Sequence, residues 1–386
     1  MVKKEKEALI NGDIEELKRL SNYKEKSGGA LRQAQRQVEY LIIGQGISGT
    51  WLSYYLQKAN KSFVVIDNNQ ENSASRIAAG IINPVTGRRI VKTWMIDELL
   101  VFIVPAYEEL GRELGIKAIE QKSLIDFHPT PQMKIAFDER VKENAEFLFQ
   151  PQDQQPYQDT FNYDFGFGEV SPCYVVNLKA VLPAWRKKLL ANYQLLEDNF
   201  EIEELKQTNN EITYKDIRAE KVIFCDGINS AQNPFFKMLP FALNKGEAIL
   251  IESARIPSSI IFKKGMMLTS VENNRYWIGS NYLWEFADDN PSEQFRKQTE
   301  LLLKNWLKVP FKIVDHKASV RPANIERRPF VGFHPVYKNI GILNGMGAKG
   351  CSLAPFFANQ FIEHIVSGKE ILPEADIKRF SRILMR

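Results

Sequence analysis

The stretch from Val38 to Asp67, VEYLIIGQGISGTWLSYYLQKANKSFVVID, constrains the fold more than any other part of the chain. An apolar run, Tyr40 to Ile43, has the length of a buried parallel strand and leads into Gly44, Gly46 and Gly49 in G-x-G-x-x-G spacing. Trp51, Leu52, Tyr55 and Leu56 then recur at helical spacing, and a second apolar run, Phe63 to Ile66, ends in Asp67. An acid about 20 residues beyond the first glycine, after strand, helix and strand, is the arrangement of a dinucleotide-binding unit. Gly44 permits the tight turn, Gly46 lets backbone approach a pyrophosphate, and Gly49 allows close helix–sheet packing. Unpaired N–H groups at the helix start, around Ile47 and Ser48, and the positive end of the helix dipole favour an anion there. Asp67, followed by Asn68, is placed to accept from a ribose 2′-hydroxyl and to repel a 2′-phosphate, which argues against NADP.

At 386 residues the chain exceeds one ordinary core, and a prior of roughly 100 to 200 residues per domain suggests two lobes. Its 44% hydrophobic and 25% charged residues are globular composition, and a net charge of +4 is too small and too scattered for a DNA-binding surface. Cys173, Cys225 and Cys351 form no C-x-x-C pair, so neither zinc nor a disulfide framework is expected, and a reducing compartment follows. No apolar run approaches the roughly 20 residues that span a bilayer, and the N-terminus lacks a signal-peptide core. The expected location is the cytoplasm.

Residues 1–37 carry charges of mixed sign with a weak stripe of Ile10, Ile14 and Leu17, and read as an N-terminal extension. The small and apolar residues Ala78, Ala79, Gly80 and Ile81 could lie against a flat ligand, with Arg88 and Arg89 beyond them. Helices are expected over Trp94–Leu114, from an Asn177 cap to Leu190, and over Ser292–Leu307; 150–164 reads as loop. Strands are expected around Asn199–Leu205, Ile212–Tyr214 and Lys221–Phe224, the last running into Cys225, Asp226 and Gly227. Alternation between Phe241 and Tyr282 suggests an antiparallel sheet.

Near the C-terminus a strand, Asn339–Leu343, is followed by Asn344, Gly345, Met346, Gly347, Ala348, Lys349 and Gly350, then by a helix from about Ser352 to Val366. This second glycine-rich turn again aims a helix N-terminus at a ligand. A flavin ring before it would set its N1–C2=O edge at the positive dipole end, with Lys349 adding a fixed charge. Pro355 is tolerated if it falls in the first helical turn.

On these motifs the chain resembles the FAD-dependent D-amino acid oxidase and glycine oxidase family over nearly all of residues 38–386. The opening phosphate motif corresponds to Gly44, Gly46, Gly49 and Asp67, the flavin-contacting segment to Ala78–Ile81, and the middle strand-turn to Phe224–Gly227. The R-P-x-x-x-acid-x-x-P-x-x-G signature is similar to Arg321, Pro322, Glu326, Pro329 and Gly332, and the closing loop to Gly345–Gly350. The resemblance implies that Arg321 binds a substrate carboxylate, for which a guanidinium fork is suited; the alternative is a structural ion pair with Glu326. Tyr276, Trp277 and Tyr282 either line the pocket or pack in the core. The oxidase domain of the bifunctional enzyme that modifies tRNA wobble uridine has a similar G-A-basic-G loop, but with arginine where Lys349 stands here.

The resemblance implies an α+β two-domain flavoprotein with a discontinuous Rossmann-like FAD-binding domain (38–90, 165–238 and 318–386) and an antiparallel-sheet substrate domain (91–164 and 239–317). The expected activity is oxidation of the C–N bond of a small amine or amino acid to an imine, with non-covalent FAD reoxidised by oxygen or another acceptor. Arg321 and Lys349 are the expected catalytic residues. Two alternatives are a tRNA wobble-uridine side-chain oxidase and a flavin-binding protein without amine oxidase activity. An NAD-dependent dehydrogenase would leave the closing loop and the Arg321 signature unexplained. No metal is expected, since His128, His316, His334 and His364 lack ligand spacing.

Overall fold

The computed structural model describes residues 36–87, 89–143, 146–208 and 211–386; the expected stripe of Ile10, Ile14 and Leu17, and Arg88, lie outside them. Two sheets organise the described chain. The first has eight strands. Arg36–Ile43 lies at its centre, parallel to Phe63–Ile66 on one side and to Ile217–Phe224 on the other, with Ile43 opposite both Ile66 and Phe224. Ile340–Asn344 continues the parallel set beside Ile217–Phe224, and Phe330–Phe333 closes that edge antiparallel. Parallel strands in one register end together. Gly44, Asp67, Cys225 with Asp226, and Gly345 therefore converge at the carboxyl edge of the sheet, where open α/β sheets bind their ligands.

The helix Ile47–Lys58 follows the first glycine turn and is buried from Ile47 to Leu56. Such all-round burial needs partners on every face. Trp51 packs edge-on against Tyr54 and Tyr107, Tyr54 against Trp185, and the Trp185 indole N–H donates to Ser53 Oγ at 2.8 Å. Burying each such ring contributes about 1.5–3 kcal/mol, so this cluster fixes the helix rigidly over the sheet. The closing helix runs from Gly350 to Ser367, two residues earlier than expected. Pro355 consequently sits in its second turn, where its missing N–H leaves the Cys351 carbonyl free. The Tyr107 hydroxyl supplies the replacement donor at 2.9 Å.

The second sheet has nine strands. Lys312–Arg321, Asn244–Glu252, Arg275–Gly279, Met266–Glu272 and Ile260–Lys264 are successive antiparallel neighbours. Ile260–Lys264 then pairs parallel with Ile119–Phe127, a departure from a purely antiparallel sheet. Between these two strands the chain passes through both sheets, forming Phe167–Val176 and Asn244–Glu252 in this one and Ile217–Phe224 in the first. Phe167–Val176 pairs with Ile119–Phe127, and Ile81–Ile82 pairs with Tyr174–Val175, so the strand after Phe167 belongs to this sheet although the sequence groups 165–238 with the nucleotide unit. The helices Ile96–Leu114, Leu178–Ala191 and Glu293–Trp306 match expectation, and Asn177 caps the second by accepting from Ala180 N–H. The expected strand over Asn199–Leu205 is instead a short 3-10 turn, Ile202–Glu204, leading into Leu205–Gln207.

Candidate active site

A cavity of about 920 Å³ opens at the carboxyl edge of the first sheet and reaches the face of the second. Gly44, Gly46, Ile47, Ser48, Asp67 and Asn68 line one end. Ala79, Gly80 and Ile81 line its flank, and Asp226 and Gly227 its floor. Gly347, Ala348, Lys349 and Gly350 close the far side, where Arg321 also enters. Gly49 and Gly345 stand behind the wall. A Cβ on Gly49 would lie 1.9 Å from the Gly44 carbonyl oxygen, so its role is helix–turn packing. Gly345, at φ +76°, sets the chain direction between Asn324 and Phe330.

The glycine turn is built to leave donors open. Gln45 N–H donates to Asp67 Oδ2 at 2.8 Å and Ile47 N–H to Ser75 Oγ at 3.0 Å. The N–H groups of Gly46 and Ser48, and the Ser48 hydroxyl, have no acceptor among the described residues, and the glycine at the cap position brings no side chain to them. These groups and the dipole form an anion site. Asp67 is held by more than the turn. Arg186, buried on the helix Leu178–Ala191, donates from Nη1 to Asp67 Oδ1 at 2.5 Å and from Nη2 to Glu197 at 2.9 Å. Asp67 Oδ2 takes only the Gln45 N–H, which leaves a lone pair for a hydroxyl. Arg76 also lines this end; the one hydrogen bond of its guanidinium among the described residues is from Nη2 to Asn69 Oδ1 at 2.6 Å.

A Cβ on Gly44 would lie 2.6 Å from the Cys225 carbonyl and 3.2 Å from Asp226 Cα, so the middle strand-turn abuts the glycine turn directly. Asp226 accepts from the Ser230 hydroxyl and, at 3.4 Å, from Asn344 Nδ2. Burial raises its carboxyl from 3.8 to about 7, outweighing those two donors. Gly80, at φ +77°, runs against Val176: its N-terminal neighbours face the cavity while its carbonyl accepts from Val176 N–H at 2.9 Å.

At the other end Arg321 terminates the strand Lys312–Arg321, opposite Asn244. Its Nη1 donates to Asn244 Oδ1 at 2.6 Å and its Nη2 to Ser280 Oγ at 2.7 Å, with the Asn281 carbonyl 3.4 Å from both. The Tyr282 ring covers the guanidinium at 4.7 Å. All these partners are neutral. The alternative ion pair with Glu326 does not form, because Glu326 pairs with Arg379 at 3.0 Å. Among the described residues no carboxylate neutralises Arg321. Neutral protein acceptors already engage both of its terminal nitrogens.

Lys349 lies in the closing loop, with Nζ donating to the buried Thr93 hydroxyl at 3.0 Å. Burial, reinforced by Arg327 and Arg328, lowers its ammonium to about 8. It remains mostly charged at neutral pH, one residue ahead of the helix Gly350–Ser367. Trp277 and Tyr282 line the cavity, and the Trp277 indole donates to the Ile77 carbonyl at 3.0 Å. Tyr276 points the opposite way and is buried, as alternation along a strand requires. No histidine lines the cavity. Cys225 and Cys351 do, but burial raises both thiols, Cys351 to about 12, so neither is a ready thiolate.

Sequence reasoning missed Arg186, Asn244, Ser280, Asn281 and Glu247. Glu247 is fully buried and accepts from Ser292 N–H at 2.6 Å, from the Ser292 hydroxyl at 2.8 Å and from Asn281 Nδ2 at 3.3 Å. It thereby ties both ends of the 280–292 loop, which delivers Ser280 and the Asn281 carbonyl to Arg321. Nothing local in the sequence around Glu247 marks that task.

A parallel sheet with a dinucleotide turn, facing a mixed sheet that carries an unneutralised arginine, defines a nucleotide-cofactor oxidoreductase. Residues 39–363 match the family described as FAD dependent oxidoreductase (DAO), and the chain belongs to that family. It is accordingly an FAD-dependent oxidoreductase of the DAO type. Its fold is similar to glycine oxidase from Geobacillus kaustophilus (TM-score 0.72, 18% identity, covering 90% of this chain and 98% of that one). It is likewise similar to iminodiacetate oxidase from Chelativorans sp. BNC1 (0.69, 18%, 89% and 98%). L-Proline dehydrogenase from P. horikoshii gives 0.69 at 17% identity, covering 90% and 98%. The residues present suit the family's cofactor: free N–H donors at the glycine turn, an acid for a ribose, and a cation with a helix N-terminus at the far side. No helix among the described residues is long and apolar enough to cross a membrane.

Proposed function

We propose that the chain oxidises the C–N bond of a small amine or amino acid bearing a carboxylate to an imine, which water then hydrolyses. The carrying observation is the guanidinium of Arg321: a cation without an anionic partner among the described residues, entering the same cavity as the dinucleotide turn. Gly44, Gly46, Ile47 and Ser48 cradle the cofactor pyrophosphate, Asp67 and Asn68 the ribose, and Ala79–Ile81, Asp226 and Gly227 its middle. Gly347–Gly350 meet the ring, and the cofactor is held non-covalently. When bound, FAD would supply the acceptor for the two electrons and the hydrogen that leave the carbon beside the nitrogen, to be reoxidised by oxygen or another electron acceptor. Arg321 orients the carboxylate so that this carbon is presented correctly, and positioning supplies most of the rate. Lys349 and the helix N-terminus stabilise negative charge at the ring edge. The iminodiacetate oxidase and glycine oxidase folds above are consistent with such substrates.

The test is an anaerobic absorbance titration of the holoprotein with glycine, N-methylglycine, iminodiacetate and D- and L-amino acids. Bleaching of the flavin band by one class, lost in Arg321→Ala, supports the reading. A flavin that none of them bleaches overturns it.

A further inference from the structure

The guanidinium of Arg321 has five N–H donors. The two on Nη1 are directed to Asn244 Oδ1 and, at the long distance of 3.4 Å, to the Asn281 carbonyl; the two on Nη2 go to Ser280 Oγ and the same carbonyl. Nε–H has no acceptor among the described residues. It lies on the same edge of the plane as Nη2, and Ser280 Oγ sits at that edge. The other approaches are closed. Tyr282 covers one face, and a Cβ on Gly246 would fall 1.7 Å from Nη2, so backbone presses against the group there. Ser280 Oγ accepts from Nη2, which directs its own proton elsewhere. That proton has no acceptor among the described residues, and Ser280 lines the cavity.

We propose that Ser280 is a second carboxylate donor: its hydroxyl holds one oxygen of the substrate carboxylate while Arg321 holds the other through Nε–H. The anchor is then an arginine–serine pair rather than a two-pronged fork, and Ser280 sets the affinity for the anion without touching the reacting carbon. This rests on the reading of Arg321 as the carboxylate site.

The experiment uses the holoprotein and compares wild type with Ser280→Ala, Ser280→Thr and Arg321→Ala. Acetate, a carboxylate that cannot be oxidised, is titrated against the flavin spectrum, and KM and kcat are measured for the amine of the panel above that bleaches the flavin fastest. Loss of a hydrogen bond to a charged group predicts a roughly 10-fold or greater rise in acetate Kd and in KM for Ser280→Ala. Its kcat should stay within about twofold, with Ser280→Thr restoring affinity. If Arg321→Ala weakens acetate but Ser280→Ala does not, the serine proposal is overturned and the arginine reading stands. If neither weakens acetate, the carboxylate reading itself falls. Should Ser280→Ala fail to retain flavin, Ser280→Cys, similar in size but a poor donor, decides in its place: affinity equal to wild type overturns the proposal.

Discussion

Arg186 Nη1 donates to Asp67 Oδ1 at 2.5 Å, joining residues 119 positions apart in the chain. The acid that a nucleotide site needs is thus held in place by a buried cation, whose second partner is the half-exposed Glu197.

Removing that cation leaves Asp67 without its main partner. Arg186→Met is expected to cost about 3 kcal/mol of stability, the usual penalty for breaking a buried pair from one side. It should also weaken FAD roughly 10-fold, because Asp67 is then free to leave its place beside the glycine turn. Thermal unfolding and a flavin fluorescence titration report the two effects, and wild-type values in both would show that the pair positions nothing.

The two glycines behind and within the cavity wall should respond differently to one methyl group. Gly49→Ala drives a Cβ to 1.9 Å from a backbone oxygen that cannot give way, so a loss of about 3 kcal/mol and of FAD retention is expected. At Gly347 the nearest atom is the Ala323 Cβ at 3.6 Å, and only the strain of φ +55° remains, about 1–2 kcal/mol. Urea unfolding of both variants checks the order; Gly347→Ala proving the worse would contradict the packing.

Asp226 makes the apoprotein's stability depend on pH. Its carboxyl is raised from 3.8 to about 7, so between those values the folded chain binds more protons than the unfolded one. Stability from this group falls as pH rises through that window, and the penalty is complete above 7. Asp226→Asn should therefore match wild type near pH 4 and exceed it by about 2 kcal/mol at pH 8, a figure discounted for the side chain's opening to cavity water. Denaturation midpoints at both pH values test this, and a constant difference would exclude the titration.

Glu247 should control the order of the rim loop. Glu247→Gln presents an amide where Ser292 N–H and Asn281 Nδ2 need acceptors, at a cost of about 2 kcal/mol. Faster hydrogen exchange across 281–292 and a raised KM are expected, since Ser280 and Asn281 no longer meet Arg321 firmly. Unchanged exchange there would mean that other contacts hold the loop.

Features that depend on neighbours in sequence were legible from sequence. The glycine turn, the small-residue flank and the Asn177 cap are local, and the structure places each where spacing suggested. The closing helix was legible except for its start, because the compensating hydroxyl of Tyr107 is 244 residues from Cys351. The arginine end was legible only as Arg321 itself. Its true surroundings come from strand register, which sets Asn244 opposite Arg321, and from a loop fastened by a carboxylate buried on another strand. The parallel junction between Ile260–Lys264 and Ile119–Phe127 likewise joins residues far apart in the chain, which no periodicity encodes.

The double fastening by Glu247 separates two properties that usually change together. Leu283 is also pinned, by paired backbone hydrogen bonds with Lys245 at 2.9 and 3.0 Å, while nearly all of the residues from Trp284 to Pro291 are exposed. That outer arc is free to change in sequence and length while the fastenings on either side of it, at Asn281, Leu283 and Ser292, stay as they are.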